Sequence, residues 1–312
     1  MKKMCFFFLS ALCYFSLSAQ VELIPTTEKT EIVQEKTAFQ LMEDTLVILS
    51  YAIINDSLEM NRFAACKKFI PNLVKALKTP NSFDQPFDRL KTVSILYPRD
   101  SSFRVFTWQL YVNENDYRYY GAIQMNSPEL QLHALIDRSH EVEDTEYEIL
   151  SSRKWYGALY YNILDFESEE GPKYLLFGFD GSSFFNKRKV VDVLSFEKQK
   201  PLFGSPVFAE PSEGRPPLLK NRLVVNYSSE ASSKLNYDEF LNAIVMDNLM
   251  EFGETIDGPR MVPDGSYKGY QLKEGKWVLI EKLFTQTQEK PPMPAPVLGK
   301  ERKKRKDLFG NR

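Results

Sequence analysis

Phe39, Met42, Leu46, Leu49 and Ile53 recur at spacings of three and four, the period of one face of an α-helix. Asp56 followed three residues later by Glu59 predicts the start of a second helix, with an N-cap and its box partner. Phe63, Phe69, Ile70, Leu73, Val74 and Leu77 supply that helix's apolar face. Pro71 lacks an amide hydrogen and its ring crowds the preceding turn, so a kink or restart is expected there. Pro80 and Asn81 end the pattern. Residues 31–78 therefore read as a helical hairpin, too small to bury its own apolar face, that must lie against something else.

From Lys91 the texture changes to strands. Ser102–Val112 alternates, with Phe106, Trp108, Leu110 and Val112 on one face. Asn113-Glu114-Asn115-Asp116 is a turn, and Tyr117–Gln124 returns. Trp155–Asp165, Glu167–Gly171 and Lys173–Asp180 repeat the plan, and Asp180-Gly181 turns before Lys189–Phe196. Leu223–Tyr227 with Lys234–Tyr237, and Tyr267–Leu272 with Lys276–Lys282 across Lys273-Glu274-Gly275, make two more pairs. Short aromatic and β-branched strands between Gly, Asn and Asp turns predict an antiparallel meander. Strands and helices do not alternate, which argues against a parallel α/β sheet. Glu210–Pro217 reads as a surface loop, and the proline-rich residues 287–299 cannot join a sheet interior. The fold expected is α+β: an N-terminal helical hairpin packed on a large antiparallel β-meander or sandwich-like body. Its parts are a leader (1–19), a helical region (20–86), a β domain (87–286) and a proline-rich, basic, disordered tail (287–312).

The start of the chain sets the expected compartment. Lys2 and Lys3, an apolar run from Cys5 to Phe15, and then Ser16-Leu17-Ser18-Ala19-Gln20 have the layout of a secretory signal cleaved after Ala19. Leu12-Cys13 lacks the small residue a lipid-anchoring site needs, and no later run approaches the ~20 apolar residues of a membrane-spanning helix. Of three cysteines, Cys5 and Cys13 leave with the signal, so the mature chain forms no internal disulfide. Cys66, beside Ala64 and Ala65 in a helical pattern, reads as a small buried hydrophobe. The whole chain is −2; Lys2 and Lys3 carry +2 and residues 300–312 carry +5, which leaves −9 on the rest. A body that acidic argues against a nucleic-acid partner, while the basic block could touch anionic surfaces.

Several stretches carry a resemblance: Phe103-Arg104-Val105-Phe106-Thr107-Trp108, Tyr119-Tyr120-Gly121, Trp155-Tyr156-Gly157-Ala158-Leu159-Tyr160-Tyr161, Leu176-Phe177-Gly178-Phe179-Asp180-Gly181, Val191-Asp192-Val193-Leu194 and Pro263-Asp264-Gly265-Ser266-Tyr267. Through them residues 35–285 resemble a widespread group of secreted proteins of Bacteroidota with no assigned function. The resemblance implies an exported β-rich body with a helical front, and no chemistry.

Catalytic motifs are few. His133 and His140, seven apart, fit neither a metalloprotease pair nor a zinc-finger spacing. Glu141, Glu143, Asp144, Glu146 and Glu148 lack EF-hand spacing and read as a solvated acidic loop. Gly181-Ser182-Ser183 reads as a plain turn, not a nucleophile elbow. Asp165, Asp180 and Asp192, near expected strand ends, are the carboxylates a glycosidase-like pair would draw on, although turn and cap roles suit them better. No catalytic residue, metal ligand or cofactor is assigned. Aromatic residues make up 13% of the chain, enough to fill a core and still leave rings to stack on sugars. Tyr117, Tyr119 and Tyr156 are the expected outward, ligand-binding members. The function expected is that of a non-catalytic envelope or secreted binding protein, for a glycan or another envelope component. A hydrolase of unrecognised type and an assembly subunit using a sheet edge or the hairpin are the alternatives.

Overall fold

The computed structural model describes residues 36–255 and 258–284. The expected leader and the proline-rich, basic tail lie outside the described residues.

Helix α1 (Ala38–Asn55) opens with a reciprocal capping box that was not foreseen: the Gln40 amide donates to Thr37 Oγ1 at 3.2 Å, and the Thr37 amide to Gln40 Oε1 at 2.8 Å. Helix α2 (Glu59–Leu77) starts differently from expectation. Leu58 is its N-cap, without a side-chain bond, and Asp56 instead accepts the Leu58 amide at 2.9 Å in the turn leading in. Pro71 does not interrupt α2, because it and Lys67, whose carbonyl loses its partner, both lie on the exposed face.

The strands are β1 (Ser94–Leu96), β2 (Phe103–Asn113), β3 (Asp116–Met125), β4 (Leu132–Ile136), β5 (Leu150–Ser151), β6 (Leu159–Ser168), β7 (Gly171–Asp180), β8 (Asn186–Glu197), β9 (Lys200–Phe203), β10 (Phe208–Ser212), β11 (Arg215–Lys220), β12 (Leu223–Ser228), β13 (Leu235–Asp238), β14 (Ala243–Thr255), β15 (Gly258–Lys273) and β16 (Lys276–Ile280). They form three sheets: β1-β2-β3-β4; β5-β9-β8-β7-β6, with β12 also on β8; and β11-β10-β16-β15-β14-β13. Pairing is antiparallel except between β10 and β16, where Phe208 lies opposite Trp277 in a parallel pair.

Three apolar clusters stack these parts as four layers. Leu46, Ile53, Phe69 and Leu73 of the helices meet Phe106, Trp108, Leu110 and Val112 of β2. The other face of the first sheet, with Phe103, Val105, Tyr119 and Ile123, meets Tyr160, Leu176 and Leu194 of the second, together with Trp155 from the segment before β6. The far face of the second sheet, with Leu175, Phe177, Val191 and Val193, meets Phe208, Ile244, Tyr270 and Trp277 of the third. Cys66 is buried in the first cluster, as expected, and burial pushes its thiol up.

Two segments depart from expectation. Glu210–Pro217 is no loop: β10 and β11 form a hairpin across it, turning at Gly214 with φ +67°. Pro216 and Pro217 are tolerated because β11 is the edge of its sheet. Among the described residues β14 and β15 form the longest antiparallel pair, which reaches past both neighbours: β13 pairs only as far as Met246 and β16 only from Gly269.

Candidate binding groove

Strand β4 pairs with β3 only from Tyr120↔Ile136 to Gln124↔Leu132, so Asp116–Tyr119 extend beyond it. Past Ile136 the chain swings away: the Arg138 amide donates to the Trp155 carbonyl at 2.9 Å, and the Trp155 amide to the Ile136 carbonyl at 3.0 Å. The divergence leaves an open groove of 530 Å³ lined by Tyr117, Arg118, Tyr120, Ile136, Asp137 and His140, among others. Its volume falls within the ~300–1,000 Å³ of ligand sites.

Asp137 frames the groove. Its Oδ2 accepts the Tyr119 amide at 3.1 Å, and its Oδ1 accepts the Ser139 amide at 3.0 Å and the Ser139 hydroxyl at 2.6 Å. Ser139 Oγ in turn accepts the Gly157 amide at 2.9 Å. Gly157 is required here, because a Cβ on it would fall 2.4 Å from the Asp137 carboxyl carbon. The glycine of Trp155-Tyr156-Gly157 is thus the seat for a carboxylate that caps the unpaired strand.

Behind the groove, Asp180 gathers the second sheet. Tyr156 donates its hydroxyl to Asp180 Oδ2 at 2.7 Å, and the Ser182 amide donates to Oδ1 at 2.9 Å. Arg188 Nη1 stands 4.0 Å from Oδ2 and donates to the Tyr156 oxygen at 3.3 Å. The Gly181 amide donates to Tyr119 Oη at 2.6 Å. Burial, with the Asp180 charge adding to it, pushes the Tyr119 and Tyr156 phenols far up, and burial carries Tyr120 to about 12. At neutral pH these hydroxyls keep their protons and act by hydrogen bonding.

The three tyrosines expected to bind ligand do converge here, but not as expected. Tyr119 and Tyr156 are only 4% and 2% exposed, so the outward reading is corrected for both. For Tyr119 the physical reason is that both faces of its sheet are covered, so alternation leaves no solvent face; Tyr156 precedes β6 and its hydroxyl is drawn inward to Asp180. Tyr117 is half-buried at the groove; Gly181, Lys187 (5.1 Å from the ring centre) and Tyr111 engage its ring. Asp165 and Asp192 stand mid-strand in β6 and β8 rather than near strand ends, and only Asp180 closes its strand. The acids after His140 are largely paired: Glu141 with Arg138 at 2.6 Å, Glu146 with Lys220 at 3.1 Å and Glu148 with Lys154 at 2.7 Å. Among the described residues, no three His, Cys, Asp or Glu gather as a metal cluster. Asp137, Ser139 and Arg118 belong to no motif and were not singled out in the sequence.

The deepest charge lies elsewhere. Arg222 and Asp192, 0% and 1% exposed, form an ion pair with Nε 3.0 Å from Oδ1 inside the second apolar cluster. Tyr160 Oη is 3.5 Å from Asp192 and receives the Trp155 indole N–H at 2.8 Å, so the pair is part of the framework and not of the groove. Burial raises the Asp192 carboxyl above its usual range, against the pull of Arg222. Comparison with protein-family models, curated proteins and solved structures finds no match to this chain. No described helix is long and apolar enough to cross a membrane.

Proposed function

We propose that this chain is an exported, non-catalytic binding protein, and that the groove beside β3 is where it takes hold of a glycan or another component of the cell envelope. The observation that carries the reading is the groove itself: 530 Å³ of open space set on a hydrogen-bonded frame. Its aromatic walls are fixed by packing, Tyr120 stacked on Trp108 at 5.7 Å and Tyr117 against Gly181, so that binding orders little. Proton-retaining phenols and buried carboxylates that already have partners suit recognition better than proton transfer. The leader-like start of the sequence supports the export half of the proposal.

Two measurements test it. Polysaccharides and envelope extracts are offered to the folded full chain and to Ile136→Arg, a substitution on the exposed groove wall. Binding that Ile136→Arg abolishes supports the reading; uniform lack of binding by the folded protein refutes it. Cell fractionation tests export, and intact precursor in the soluble cell contents overturns that half.

A further inference from the structure

The groove's walls are side chains already engaged, and what faces it unused is main chain. Along β3 the amides of Tyr119 and Met125 both point away from β2, one to Asp137 and the other to the Gln131 carbonyl at 3.0 Å. Tyr117 has the same parity, and amide direction alternates along a strand. The Tyr117 amide and carbonyl therefore point into the space that β4 vacates, while Asp137 already occupies the position opposite Tyr119. A groove presenting a short open strand edge is complementary to an extended polypeptide, which supplies the matching donors and acceptors.

Charge selects among such polypeptides. Asp116 and Asp137 line the groove against the single arginine Arg118. Among the described residues Asp137 makes no ion pair, and its charge contributes to raising the Tyr120 phenol. The described residues as a whole, with more Asp and Glu than Lys and Arg, add to the same field. We infer that the ligand is an extended, basic segment of a partner protein, added as a short strand to the open edge of β3 at Tyr117. This rests on the groove being the binding site and names what occupies it.

The test uses the full chain and a displayed library of random decapeptides. The selected pool is expected to be enriched in Lys and Arg, and a selected peptide N-methylated at alternate residues should bind at least tenfold more weakly. Tyr117→Pro removes the open amide and should weaken binding at least tenfold. If thermal melting shows that Tyr117→Pro does not fold, Ile136→Arg decides, with an expected loss of at least fivefold for basic peptides. A pool without basic enrichment, or binding indifferent to N-methylation and to Ile136→Arg, overturns the inference. Polysaccharide or envelope binding that is lost in Ile136→Arg while peptides fail leaves the groove's role standing and removes only the strand-addition ligand. If nothing tested responds to Ile136→Arg, both fall.

Discussion

Replacing Arg222 by Met keeps much of the side chain's volume and removes its charge. Asp192, 1% exposed, is then left with the Val193 amide at 2.9 Å and Tyr160 at 3.5 Å, and no cation. Removing one partner of a buried pair costs about 3–5 kcal/mol, because the remaining charge stays desolvated. For a chain of this size that corresponds to a fall in Tm of about 10 °C. Asp192→Asn combined with Arg222→Met removes both charges and should recover most of the loss. Urea unfolding followed by tryptophan fluorescence measures this, with the midpoint falling in the single variant and the m-value unchanged. The pH dependence has a definite sign. The carboxyl of Asp192 has a raised pKa when folded, so in Arg222→Met its protonation stabilises the fold at low pH. That contribution disappears as pH rises through the folded pKa. The single variant should therefore lose less relative to wild type at pH 5 than at pH 8. A loss below about 1 kcal/mol, or a double variant no better than the single one, would refute the account of the pair as a framework element.

Three other outcomes follow from the geometry. Gly157→Ala drives a methyl into the Asp137 carboxylate, and should destabilise the chain by about 1–3 kcal/mol, as overpacking does, while weakening ligand binding in the groove. Thr37→Ala removes the side-chain half of the α1 capping box and should cost about 1 kcal/mol in chemical unfolding. Burial lowers the His133 pKa, so the folded state resists its protonation; stability contributed by neutral His133 is complete above the unfolded pKa and lost as pH falls. The stability difference between wild type and His133→Gln should accordingly shrink from pH 7.5 to pH 5, and a difference constant across that range refutes the assignment.

The hairpins that announced themselves in the sequence did so through tight turns: Asn113–Asp116 and Lys273–Gly275 join the strands expected on either side. The apolar faces of the helices and of β2 were legible because each faces one partner layer. Period-two alternation separates the two faces of a strand but does not say that both are covered, and Tyr119 was turned inward on that account, while Tyr156 lies outside the strands and is held by Asp180. The β14–β15 hairpin stayed hidden because Asn248, Glu251, Glu254, Pro259 and Pro263 interrupt its alternation, as suits a ribbon projecting into solvent. The groove was hidden for another reason. It exists because β4 stops four residues short along β3, and nothing in Asp137-Arg138-Ser139 signals where that chain turns away.

Strand β2 is covered by helices on one side and by the second sheet on the other, and this has a consequence for biogenesis. During synthesis the hairpin α1–α2 leaves the ribosome well before Phe106 and Trp108 can cover it, and the second sheet completes still later. Formation of the layers depends on distant pairings and is slow for that reason. The greasy flank of the helices is meanwhile exposed, so the nascent chain should need a holding chaperone until its own middle strand arrives.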